Sequence, residues 1–210
     1  MRHRPTLFLF AAAMAFVEAA VVTYLRLHYP EAFRLPAVAI PPFTYAVEIG
    51  REVATLVMLW AVARVASADR WEGFLHFCFL FGVWDLFYYL WLRVLIGWPE
   101  SLLTWDILFL IPVPWVAPVL APVIVSLTLV AGSLHLAGLR RRGRPLRFSL
   151  PAWTGAILAA IVVVSSLLWR FPAVARGTIP AAFPWWWFLA GYFGGLAVYI
   201  RSVRKIPPAA

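Results

Sequence analysis

GFLHFCFLFGVWDLFYYLWLRVLI (73–96) is a run of 24 residues in which only Asp85 and Arg93 carry a full charge. A bilayer hydrocarbon core of about 30 Å is crossed by roughly 20 predominantly apolar helical residues, so this stretch reads as a transmembrane helix. Five other segments read the same way, which gives six in all, at about 6–27, 43–65, 73–96, 106–138, 151–169 and 184–200. The expected fold class is therefore an all-α integral membrane protein, a single polytopic domain over 1–210. The segments between the helices are too short for a separate soluble domain.

Composition supports the same class. The chain is 64% apolar and 13% charged, whereas a soluble domain of this size carries roughly 45–50% and about 25%. The N-terminus has a basic start and the run AAAMA (11–15), as a signal peptide would. The apolar stretch continues another ten residues and contains Glu18, so it is read as a first, retained helix.

The net charge of +9 is unevenly spread, because no carboxylate follows Asp106. Of the 18 basic residues, 12 fall on one side if six spans alternate: Arg2, Arg4, Arg64, Arg70, Arg140, Arg141, Arg142, Arg144, Arg147, Arg201, Arg204 and Lys205. The excess of Arg and Lys in cytoplasmic loops then predicts both termini in the cytoplasm, with Arg34, Arg170 and Arg176 opposite. The run LRRRGRPLR (139–147) is read as a topology determinant and not as a nucleic-acid patch. Membrane lipids are the expected surroundings, and a bacterial inner membrane is the expected location. Protein partners, if any, would come from homo-oligomerisation or from a larger membrane complex.

Charges at bilayer depth cost about 2.5–3.5 kcal/mol each on insertion scales and mark functional sites by default. Glu18, Glu48, Arg51, Glu52 and Asp85 all fall within predicted spans. Because the first three helices alternate in direction, these positions converge on the outer half of the bilayer. Glu48, Arg51 and Glu52 share one helix face, where Arg51 can bridge both carboxylates. Tyr88 and Tyr89 follow Asp85 by one turn. Arg26, Arg93 and Asp106 are expected at the outer rim, with His28 near the boundary. Four carboxylates against Arg51 leave a formal surplus that protons, the rim arginines, water or a cation must offset. The bland alternative is an ion-pair network that only fixes helix packing.

The fourth segment, DILFLIPVPWVAPVLAPVIVSL (106–127), contains Pro112, Pro114, Pro118 and Pro122. Read as a proline-broken helix, it would leave the carbonyls of Leu110, Pro114 and Pro118 unpaired, an arrangement found around substrates and ions in transporters. Trp98, Trp105 and Trp185 to Trp187 are read as interfacial anchors. The small-residue stripes Ala11, Ala15, Ala19 and Gly191, Gly195 are read as helix-packing faces.

No motif specifies a cofactor. His76 and His135 lie at similar depth and have the ligand chemistry of a b-type haem, although a lone intramembrane histidine is more commonly bonded to a neighbouring helix. Ser133 and His135, two apart on a helix, face different ways and are no nucleophile–base pair. Cys78 is alone, which excludes an intrachain disulfide. Zincin, P-loop, GxSxG and GxGxxG signatures are absent. Three functions fit: proton- or cation-linked transport of a small polar solute, an enzyme acting on a lipid or lipid-linked substrate at the outer leaflet with Arg93 and Arg26 on a phosphate, or a non-catalytic subunit of a complex.

Overall fold

The computed structural model describes residues 4–29, 41–176, 178 and 180–207; Arg2 and Arg34 lie outside the described residues. The chain is mostly helical: α1 Arg4–His28, α2 Pro42–Val65, α3 Arg70–Ile96, then strands β1 Trp105–Phe109 and β2 Trp115–Pro118, then α4 Leu120–Arg141, α5 Leu150–Leu168, a short α6 Phe171–Ala175 and α7 Trp185–Arg204. Four helical stretches are long and apolar enough to cross a membrane: Arg4–His28, Arg70–Ile96, Leu120–Arg141 and Leu150–Ala175, the last taking in α5 and α6. The helix α2 is as long but carries Glu48, Arg51, Glu52 and Arg64, and α7 opens with three tryptophans and closes with Arg201 and Arg204.

The start of the fourth segment differs from expectation. No helix covers residues 105–118; an antiparallel hairpin does, pairing Trp105 with Pro118, Asp106 with Ala117, Ile107 with Val116 and Phe109 with Trp115. Prolines at 112, 114 and 118 lack the N–H a helix needs and push the residues before them into extended conformations. Pro122 is tolerated because it lies in the first turn of α4, where N–H groups have no intrahelical partner anyway. The unpaired carbonyls expected at Leu110, Pro114 and Pro118 therefore do not arise as breaks in a helix.

The side chains fix how α3 and α4 sit against each other. Ser126 Oγ on α4 donates to Asp85 Oδ2 on α3 at 2.7 Å. From that level, 15 residues run back to Arg70 on α3 and 15 run on to Arg141 on α4, so the two helices end flush at the arginine-rich side. Arg140 Nη1 donates to Asp69 Oδ1 there at 2.9 Å. Asp69 also caps α3, accepting the N–H of Glu72 at 2.9 Å. The Arg140 guanidinium and these backbone N–H groups hold the Asp69 carboxyl well below the usual carboxylate range. At the other end 11 residues separate Asp85 from Ile96 but only six separate Ser126 from Leu120, so α4 begins about 7.5 Å deeper than α3 ends. The β-hairpin fills that step.

Small residues set the close helix contacts. Ala11, Ala15 and Ala19 are fully buried, packed with Leu80, Val83 and Leu92 of α3. A Cβ on Gly82 of α3 would stand 2.6 Å from the Ser126 carbonyl oxygen, and one on Gly191 of α7 would stand 2.9 Å from the Val163 nitrogen of α5. The helices α1 to α4 thus form one bundle and α5 pairs with α7.

Candidate functional site

The side chains of α1, α2 and α3 meet the hairpin around a cavity of about 40 Å³. Glu18, Glu48, Glu52, Asp85 and Asp106 all line it, and each is at most 8% exposed. Each carboxylate arrives from a different local logic. Glu18 projects from the buried face of α1, beside Ala15 and Ala19. Glu48 and Glu52 lie one turn apart on α2, and Asp85 shares the α4-facing side of α3 with Gly82.

Arg51 organises the first half of the site. Its Nε donates to Glu48 Oε2 at 2.7 Å, and its Nη1 pairs with Glu18. Thr55 Oγ1 donates to the other oxygen of Glu18 at 2.6 Å. In the second half the donors are neutral. The Leu110 N–H reaches both oxygens of Glu52, at 2.9 and 3.2 Å. Ser126 serves Asp85, and Tyr89 OH donates to Asp106 Oδ2 at 3.0 Å. Tyr88, also on the cavity wall, packs edge-on against Tyr89. Arg26 lies over the Trp98 ring, 4.1 Å from its centroid, and its charge acts on Asp106. The buried Trp84 Nε1 has no hydrogen-bond acceptor among the described residues, and its ring lines the same cavity.

All seven residues expected in the polar site thus converge, and Arg26 and Asp106, expected at the rim, are buried in it. Arg93 is not part of it: its guanidinium donates to Gly97 O and, at 3.0 Å, to Pro99 O, closing the C-terminal end of α3. His28 bonds back to Tyr24 O of its own helix. Leu110 contributes its N–H where a carbonyl was expected. Thr55 was legible in principle, since it follows Arg51 by four on the same helix face; Ser126 had no sequence signal, lying in an apolar helix far from the acids.

His76 and His135 have separate partners, Ser67 Oγ at 2.8 Å and Tyr199 OH at 2.6 Å, and only Tyr199 belongs to another helix, α7. Among the described residues, no group of three or more His, Cys, Asp and Glu side chains is arranged to hold a metal ion. Comparison with family models, with curated proteins and with solved structures gives no match.

Proposed function

We propose that the chain is a bacterial inner-membrane protein of six spans, both termini cytoplasmic, that links proton movement to transport of a small polar solute. Its site lies in the outer half of the bilayer, below the proline-interrupted segment. The observation that carries this reading is the charge balance around the cavity: five buried carboxylates face two guanidinium groups, a formal surplus of three negative charges. A network that only fixes packing pairs its charges, because an uncompensated buried ion costs several kcal/mol. Surplus acid in a low-dielectric region is neutralised by protons that can later leave.

The partners suit that role. The Ser126 and Tyr89 hydroxyls are both donors and acceptors, so Asp85 and Asp106 keep a hydrogen bond whether ionised or protonated. The cavity, at about 40 Å³, holds a few waters at roughly 10–15 Å³ each, enough for a proton path and too little for a solute in this conformation. Solute passage therefore requires a more open state, with the hairpin as the element that moves. The lipid-enzyme reading loses Arg93, one of its two phosphate-binding arginines, to the α3 terminus.

The test is infrared titration of the purified protein in vesicles. A protonated-carboxyl band that appears on acidification and is diminished in both Asp85→Asn and Asp106→Asn is expected. No carboxyl change between acid and alkaline buffer would sink the proton reading. Reporter fusions at each loop check the six spans and the orientation.

A further inference from the structure

Over the middle of its length the α5–α7 pair stands off from α4, leaving an apolar cleft of about 890 Å³ closed by α3 behind. At one end Ala121 shares a buried cluster with Leu167 and Phe188, and at the other Leu136 and Leu139 share one with Val203 and Ile206. Clefts of ≈ 300–1,000 Å³ are the usual size of ligand sites. The backbones of α4 and α7 do not pack closely; two tyrosines bridge them. Tyr192 OH lies 3.0 Å from Thr128 Oγ1, and Tyr199 OH lies 2.6 Å from His135 Nδ1. Both pairs are seven residues apart on each helix, so α4 and α7 run in the same direction with rungs about 10.5 Å apart. The row Thr128, His135 continues at the same spacing to Arg142, which is exposed at the end of α4. On α7 the exposed Arg201, Arg204 and Lys205 follow Tyr199 at the same end. The wall is low: a Cβ on Gly132 would meet no atom within 4 Å.

We infer that this cleft binds an anionic phospholipid, its acyl chains lying along the apolar wall between α4 and the α5–α7 pair and its phosphate held by Arg142 with the basic end of α7. The inference rests on the membrane placement proposed above and is independent of the proton site. Charge complementarity selects this occupant. The cleft is mostly apolar, α4 and α7 both end in arginine, and the carboxylate at that end, Asp69, is taken up by Arg140 and by the first turn of α3. A second copy of the chain, held by the bilayer in the same orientation, would set one basic rim against another.

The experiment is native mass spectrometry of the full chain taken from vesicles of equal phosphatidylglycerol and phosphatidylcholine. Retention of phosphatidylglycerol over phosphatidylcholine is expected in the unaltered protein and in Gly194→Leu, a control because Gly194 also meets no atom within 4 Å but lies outside the cleft. Gly132→Leu, which puts a branched side chain into the cleft from its α4 wall, should weaken retention. The Arg142→Gln, Arg204→Gln double variant, altered only at exposed positions, should weaken it about fivefold for each arginine removed. Equal retention of the two lipids, retention unchanged in the arginine double variant, or a lipid-free dimer would each overturn the inference. Lipid retention and the carboxyl titration are read separately, so either can fail alone.

Discussion

Glu52 and the backbone of Leu110 are tied by a forked hydrogen bond, N–H to both carboxylate oxygens at 2.9 and 3.2 Å. This joins α2 to the turn after β1 across 58 residues of chain, and it satisfies a buried N–H that the hairpin leaves unpaired. Glu52→Ala should therefore destabilise the protein by about 1–3 kcal/mol, the desolvation cost of an orphaned donor. Glu52→Gln, whose amide oxygen accepts the same N–H, should lose much less. Thermal unfolding of the two variants in detergent checks this, and equal losses would show that the tie carries no stability.

Arg51 is the only guanidinium bonded to Glu18 and Glu48 among the described residues. Removing one partner of a buried pair costs about 3–5 kcal/mol because the other charge is left uncompensated. Arg51→Met should show that loss in denaturant unfolding. The triple variant Arg51→Met, Glu18→Gln, Glu48→Gln should recover most of it. A triple no more stable than the single would mean that Arg51 acts through packing of its stem.

Gly82 and Gly50 should respond to alanine with opposite signs. At Gly82 the new methyl would stand 2.6 Å from a backbone oxygen and 2.8 Å from Val130 Cγ2, and overpacking of this kind costs about 1–3 kcal/mol. At Gly50 it would meet nothing within 4 Å, and replacing glycine in a helix interior gains about 0.5–1 kcal/mol. Parallel unfolding curves separate the two effects.

Asp69 carries a pH signature. Its carboxyl is held below the ordinary value of 3.8 by Arg140 first and by the N–H groups of Glu72 and Trp71. A depressed folded value means the contribution is complete above the unfolded pKa and is lost as pH falls below about 4. The protein should lose stability on acidification in that range more steeply than Asp69→Asn, which keeps a good helix cap without the titrating charge. High salt should shrink the difference, since this pair is solvent-exposed.

Legibility in the sequence followed the range of the signal. Apolar runs of 20 residues identify themselves locally, and the i, i+3, i+4 spacing of Glu48, Arg51 and Glu52 is a property of one helix. Convergence of Glu18, Glu52 and Asp85 followed from counting depth along alternating helices, which needs no knowledge of side-chain direction. The hairpin was not legible as such: prolines at four-residue spacing exclude a regular helix but do not say what replaces it, and extended backbone was chosen here because Glu52 and the Thr104 carbonyl, at 3.0 Å from Val119 N, accept its N–H groups. Ser126 carries no sequence signal and Thr55 only its spacing from Arg51, because a hydroxyl in an apolar helix can equally bond its own backbone. Asp106 reads as a rim residue because its depth depends on the step between α3 and α4, which a sequence does not display.

That step divides the molecule mechanically. At the arginine-rich end, α3 and α4 are flush, and admitting water to the cavity from there means parting two helices along their full contact. At the other end the barrier is a two-stranded ribbon, an element of marginal stability by itself, fastened by Glu52 and by the Tyr89–Asp106 bond. Local opening follows the weakest cooperative unit, so amides of the ribbon should exchange with solvent before those of the adjoining helices. The two ends of the site are thus closed unequally, one by a few hydrogen bonds and the other by the helix frame itself.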